Sequence, residues 1–407
     1  MARWPFGRTV SSSPSSDPIE TVVIARWRLF WRVASPLLSG VGFAVMLAWI
    51  VQPRNTPAAG MADTGLLGLP YLEQPPASVA LVGLGQKLFF DQRLSSDGAH
   101  SCASCHAPEQ YFSDGLRVSK GVGERLGTRN APSLLNAAYN SSQFWEGREP
   151  TLESQATRPL TNPREMGMPN EAAVLHVIEQ DKGYVKNFRQ AFIADEEPTV
   201  RIERVASALA AYQRTLRAGD SPFDRYAFGG DKSAMSASAV RGLALFTGTA
   251  RCATCHTIDR DHALFTDNKF HALSVGLERI SGNLARLSTR LASQKLKGVP
   301  LDQVILSDDD FAELGRFVVT LEPKDIGNFR TPSLRNVAVT SPYMHDGSVA
   351  TLSQAVDYEV YYRSNEQGRT LLLTPMERQD LIAFLEALTT SARALARLDP
   401  RTAPPRP

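Results

Sequence analysis

Cysteine is scarce in this chain, with four among 407 residues, too few for a disulfide scaffold. Neither sign of charge dominates: 44 Lys and Arg against 42 Asp and Glu leave a formal net charge of +2. That excludes the broad positive field that neutralises phosphates, and nucleic acid as a partner with it. Alternating β-branched runs are nearly absent, so a sheet protein is not expected. Glycine (28) and proline (26) are too few for a collagenous or bulk-disordered chain. The length suggests two domains of ordinary size.

Long apolar runs are absent with one exception. Val33 to Val51 reads VASPLLSGVGFAVMLAWIV, a stretch without charge that follows Arg26, Arg28 and Arg32. At 1.5 Å per residue it covers about 28 Å, one bilayer core, and the basic flank predicts that the N-terminus stays inside. We therefore expect a cytoplasmic segment at 1–32, a transmembrane signal anchor at 33–51, and a periplasmic body. The alternative is a cleaved signal peptide that leaves a soluble periplasmic protein. Residues 52–76, rich in Pro, Gly and Ala, read as a linker.

Two passages in the body echo each other. LGQKLFFDQRLSSDGAHSCASCH ends at His106 and RGLALFTGTARCATCH at His256, each a short Leu-Phe helix running into Cys-x-x-Cys-His. APSLLNAAYNSSQFWEGREPTL from Ala131 and TPSLRNVAVTSPYMHDGSVATL from Thr331 align without gaps. This predicts an internal duplication. Elsewhere the apolar spacing is helical, and Thr374 with Glu377 forms a capping box, as Ser307 with Asp310 is expected to do. The expected fold is mainly α: two tandem cytochrome c-type haem domains, 77–230 and 231–390, and a flexible tail at 391–407. Residues 280–307 have no counterpart in the first half and read as an insertion.

Cys102, Cys105 and His106, and Cys252, Cys255 and His256, consume every cysteine. Two thiols three positions apart can each form a thioether with one vinyl group of a porphyrin, and the adjacent histidine then reaches the iron. Two covalently bound haem c groups follow, with His106 and His256 as proximal ligands. A zinc site across the two pairs would leave both histidines unexplained, and a thioredoxin-type pair needs a missing βαβ context.

Longer motifs surround these signatures: GQKLFFDQRLS from Gly85, RNAPSLLN from Arg129, FWEGR from Phe144, LTNPREMG from Leu160, FTDNKFH from Phe265 and TPSLRNVAVTSPYMHDGS from Thr331. With them the chain resembles the bacterial dihaem cytochrome c peroxidase and MauG family over roughly 76–390. The resemblance implies an oxidoreductase that reduces hydrogen peroxide at the N-terminal haem with electrons relayed from the C-terminal one. It implies a small cytochrome c or cupredoxin as donor. The MauG branch implies instead peroxide-dependent oxidation of a partner protein, and a dihaem electron-transfer cytochrome is the non-enzymatic alternative. A homodimer is common among relatives.

Residue by residue, the resemblance makes Glu165 the peroxide acid and base, Gln155 its polar companion and Trp145 the electron relay between haems. A carboxylate over the haem can move a proton between the two peroxide oxygens. Asn130, with the carbonyls of Thr340 and Pro342, matches a calcium site. Two departures stand out. Where many members carry a histidine that caps the first haem, this chain has Gly121-Val122-Gly123, and no histidine lies between Ala107 and Asn170. The first haem is therefore expected to be open without prior reduction. The second haem's sixth ligand, Met or Tyr in relatives, falls on Glu359 in an ungapped reading. A small shift would bring in Tyr358 or Tyr361, and Tyr361 is the expected ligand, with Met344 as the thioether alternative. His345 is expected to bond a haem propionate. His100, His176, His262 and His271 are expected at the surface or behind the haem ligands.

Overall fold

Helix starts are set by the residue just ahead of them. Ser78, Asn170, Asp181, Ser221, Ser236 and Thr374 each accept a hydrogen bond from an N–H of the first turn that the helix cannot satisfy itself. The Thr374 box forms as expected: its hydroxyl accepts from Glu377 N at 3.2 Å and Glu377 Oε2 from Thr374 N at 2.8 Å. Upstream the expected box does not form. Asp308 is the cap, accepting from Asp310 N at 3.0 Å, because its short carboxylate closes a two-residue turn, while Ser307 ends the preceding helix. The computed structural model describes residues 66–72, 76–193, 200–366 and 370–398. The expected segments 1–32 and 33–51 lie outside the described residues, among which no helix is long and apolar enough to cross a membrane.

The fold is mainly helical. Among the described residues the one strand pair is antiparallel, Phe270–Ala272 against Asn328–Arg330, with Phe270 opposite Arg330. Two helix pairs organise the rest. Val79–Phe89 crosses Ile202–Gln213, and Ala237–Thr247 crosses Pro375–Glu386. Both crossings turn on a glycine. A Cβ on Gly85 would sit 1.8 Å from Ala208 O, and one on Gly242 would sit 1.9 Å from Asp380 O, so only glycine lets the backbones approach.

Each crossing feeds its own apolar cluster. The first holds Leu84, Leu88, Phe89, Phe112, Val205, Leu209 and Tyr212. The second holds Phe223, Phe246, Phe265, Leu381, Phe384 and Leu388. The segment expected as an insertion contributes Ile280, Leu287, Leu291 and Val304 to a third, the last three on the helices Leu284–Leu296 and Leu301–Leu306, and Phe311 just beyond it joins them. Apolar residues at helical spacing let it bury a face of its own.

The segments expected as linker and tail each include residues held by the fold. The expected linker 52–76 is pinned at Gly68, whose carbonyl accepts from Ala263 N at 2.9 Å and from Arg335 Nη2 at 2.6 Å. Arg335 forms a fully buried pair with Asp224 at 2.8 Å, so this carbonyl helps satisfy a buried guanidinium. The expected flexible tail 391–407 begins with the helix Ala392–Ala396, and Leu395 and Leu398 pack on the first cluster. Apolar side chains at that spacing find a core face to cover. Residues 399–407 lie outside the described residues.

Gly85→Ala and Gly242→Ala each drive a methyl into a backbone carbonyl. We expect each to cost about 1–3 kcal/mol of stability, read as a lower midpoint of thermal unfolding by circular dichroism of the haem-loaded protein. An unchanged midpoint would show that the helices do not cross in this contact.

Candidate active site

Both signature histidines are set by a backbone carbonyl. His106 Nδ1 lies 3.1 Å from Phe112 O, and His256 Nδ1 lies 2.9 Å from Phe265 O. A carbonyl can only accept, so each Nδ1 carries the proton and Nε2 is left as the ligating nitrogen. Phe112 and Phe265 both adopt the left-handed region (φ 58° and 53°), which turns their carbonyls back toward the imidazoles. The following hydroxyls tie each turn to the next loop: Ser113 Oγ donates to Ala131 O at 2.8 Å, and Thr266 Oγ1 to Thr331 O at 2.6 Å. The sequence reading missed this pairing, whose signal is the shared Phe-Ser/Thr-Asp. Burial holds the His106 imidazole below its usual range, hence neutral and fit to ligate. Burial pushes the Cys102 thiol up to about 12 and the Cys105 thiol to about 11, against a thiolate zinc site.

One cavity of about 1270 Å³ runs past both signatures, larger than the roughly 300–1,000 Å³ of an ordinary ligand pocket. Cys102, Cys105 and His106 line one part, and Cys252 and His256 another. The walls also carry Asn130, Trp145, Gln155, Glu165, Thr340 and Pro342, so the structure brings nearly all the expected site residues together.

Glu165 sits on the Asn162–Met166 turn, where Asn162 Nδ2 donates to its Oε1 at 2.7 Å. Burial raises its proton affinity, and Arg148 opposes that shift. Val122 N donates to Glu165 O at 2.9 Å, and Gly121 packs so close that a Cβ would meet Arg164 O at 2.2 Å. Val122 is buried against the glutamate loop. Trp145 joins the two halves: its Nε1 donates to Asn130 O at 3.0 Å, and its carbonyl accepts from Arg330 N at 2.8 Å. Asn130 Nδ2 donates to Leu116 O at 2.9 Å.

The remaining cavity histidines are each held by a carboxylate: His100 by Asp97, His271 by Asp267 and His345 by Glu313. His345, expected on a propionate, has its Nε2 2.8 Å from Glu313 Oε2 and its ring stacked on Phe329. Cys255, Asp267 and His271 place three donor atoms within 4.8 Å, but Cys255 belongs to the haem signature and Asp267 to His271.

Tyr361 lies apart from the other expected site residues. It is 62% exposed and lies off the cavity wall, because the helix Leu352–Glu366 turns Leu352, Ala355, Val356, Glu359 and Val360 inward. That stripe has the 3.6-residue period, which Tyr361 breaks. Tyr358 stacks on Tyr362 instead. Met344 lines the cavity.

The cavity also suits the carboxylates of haem. Arg129 and Arg330 both line it, and each has a buried N–H without a partner, Nη1 and Nε respectively. Burial pushes Arg330 down to about 10. Desolvated guanidiniums on a cavity wall call for anions, which the propionates provide.

These features define a c-type cytochrome with two haem sites on one cavity. The profile of the di-haem cytochrome c peroxidase family matches residues 79–233. The chain is 37% identical over 334 residues to the methylamine utilization protein MauG of Methylorubrum extorquens, covering 80% of this chain and 83% of that one. It is 31% identical over 351 residues to the cytochrome c peroxidase Ccp of Escherichia coli, covering 85% of this chain and 66% of that one. Among solved structures it is similar to a MauG-like protein associated with microbial copper homeostasis. There the TM-score is 0.62 at 29% identity, covering 83% of this chain and 98% of that one. The chain belongs to the dihaem cytochrome c peroxidase and MauG family. It is an oxidoreductase of the cytochrome-c peroxidase type, and the family carries two haem c groups.

Arg330→Met removes a buried cation from the wall. The reduction potential of one haem is expected to fall by about 30–60 mV, since 59 mV corresponds to about 1.4 kcal/mol for one electron. Spectroelectrochemical titration reads this, and two unmoved potentials would show that Arg330 faces neither haem.

Proposed function

We propose that this chain reduces hydrogen peroxide to water at the site of Cys102, Cys105 and His106, and takes electrons in through the site of Cys252, Cys255 and His256. The observation that carries the reading is the first site's wall: Glu165, its proton affinity raised by burial, and Gln155 line the same cavity as His106. Haem, when bound to those cysteines and histidines, supplies the iron that holds peroxide and passes electrons. Glu165 accepts a proton from one peroxide oxygen and returns it to the other, so that two electrons and two protons convert peroxide to two waters. A raised proton affinity suits that task, because a group that both takes and gives a proton works best near the ambient pH. Gln155 donates a hydrogen bond that orients the peroxide. Trp145, hydrogen-bonded to both halves, relays electrons between them.

The second haem's sixth position then falls to Glu359 or Met344, the cavity-facing donors, in place of Tyr361. Calcium binds at Asn130, whose Nδ2 is committed to Leu116 O so that its oxygen is the ligand atom, with the carbonyls of Thr340 and Pro342. The two halves descend from a duplicated haem unit, divided near residue 230. The body is periplasmic, anchored through 33–51 or soluble after cleavage, and a small cytochrome c or cupredoxin supplies electrons. A second reading, oxidation of a partner protein, is favoured by the 37% identity to MauG and by valine at 122, a side chain that cannot ligate iron.

Glu165→Gln is expected to lower peroxide turnover by about 10²–10⁴-fold, measured by steady-state peroxide consumption; unaltered turnover would remove Glu165 from the chemistry. Electron paramagnetic resonance of the oxidised wild type is expected to show a high-spin ferric signal that one equivalent of peroxide abolishes. Two low-spin haems inert to peroxide would show a first site closed in the oxidised state, as in an electron carrier or an enzyme that needs prior reduction.

A further inference from the structure

The helix pair inserted into the second half reaches into the first half's site. Pro300, Asp302, Gln303, Ile305, Leu306 and Ser307 line the cavity that holds Gln155 and Glu165. Asp302 is the charged group of this wall. Its Oδ1 accepts from Arg148 Nε at 3.0 Å, and its Oδ2 lies 3.7 Å from Arg158 Nη1. Arg158 Nε also donates to Glu149 at 2.7 Å, and Arg148 pairs with buried Glu146. Arg148 lies 3.3 Å over the Phe144 ring, another cavity residue. Arg164, the residue just before Glu165, clamps the glutamate loop to Asp309, two residues past the insertion, at 2.6 Å.

We propose that Asp302 is a positioning residue of the peroxide site: the inserted helices carry it across to hold Arg148 and Arg158, and with them the charge balance that faces Glu165. The inference rests on reading Glu165 as the proton-handling group. Few charges face that carboxyl. Arg148 and Asp302 act on it from across the cavity, Asn162 bonds it from its own loop, and Arg164 is paired away with Asp309. Cys102 and Cys105, on the haem-attachment helix, also feel its charge but are consumed as uncharged thioethers. Arg148 stabilises the ionised form of Glu165 and Asp302 disfavours it. Removing the Asp302 charge while Arg148 keeps its own must therefore make Glu165 easier to ionise.

The test is infrared difference titration of the haem-loaded full chain, with the protonated carboxyl band of Glu165 assigned by its loss in Glu165→Gln. In Asp302→Asn the midpoint of that band is expected to fall by about half a pH unit or more, and Asp302→Glu restores it. Asn matches the shape of Asp, and Asp302→Ser serves as a second neutral variant. A merely structural role would change the amount of folded protein without moving the midpoint downward. A midpoint that does not fall in the neutral variants overturns the inference, as does the absence of any band lost in Glu165→Gln. The band is read without turnover, so failure of the peroxide reading, seen in the activity of Glu165→Gln, stays distinct from failure of this one.

Discussion

The cavity depends on one hydrogen bond made twice, from an imidazole Nδ1 to the carbonyl of a phenylalanine with positive φ. That bond decides which nitrogen of His106 and of His256 faces the iron. It also decides where the following chain goes, because turning the carbonyl back places Ser113 and Thr266 where their hydroxyls reach Ala131 O and Thr331 O. The loops held there run on to Asn136 and Asn336, each in the left-handed region that asparagine tolerates better than most residues. Asn136 Oδ1 accepts from Ala218 N at 2.9 Å and Asn336 Oδ1 from Thr390 N at 2.8 Å. Histidine, phenylalanine turn and asparagine turn thus form one chain of constraints in each half.

Charge inside such a cavity is expensive unless paired. Glu146 shows how this chain meets that requirement: it is almost fully buried, pairs with Arg148, and lies 3.7 Å from Arg129. Glu313 does the same in the second half, between His345 and Arg279 at 2.8 and 3.0 Å. Arg129 and Arg330, each retaining an unpartnered N–H, lie on the wall of the haem cavity. Packing and cofactor recognition are therefore the same arrangement seen from two sides.

The haem signatures were legible because covalent attachment demands contiguous residues, and the glutamate loop because its motif is long. The second-half capping box at Thr374 was legible for the same local reason. Phe112 and Phe265 were overlooked, since their contribution is a backbone carbonyl that any residue carries, and only the shared Phe-Ser/Thr-Asp marks the two turns. Asp302 was invisible because its partners Arg148 and Arg158 belong to the other half, and nothing in a run of inserted helix says which distant wall it will meet. Gly68 and Leu395 looked like linker and tail because composition reports local preference, while their order comes from a carbonyl under Arg335 and a leucine on the first cluster.

The tyrosines expected near the second haem show how a helix sorts neighbouring residues by face. Tyr358, Glu359, Tyr361 and Tyr362 lie within five positions, and a shift of one or two residues looks harmless on paper. On a helix each step rotates the side chain by about 100°. Leu352 fixes the phase, since it packs with Val356 and Val360 in the cluster that includes Cys252. The helix runs unbroken through Glu366, so no bulge resets that phase. Glu359 follows Ala355 and Val356 onto the cavity wall, and Tyr361 is carried outward. The phase of the helix therefore puts the residue of the ungapped alignment, Glu359, on the cavity wall that Met344 also lines.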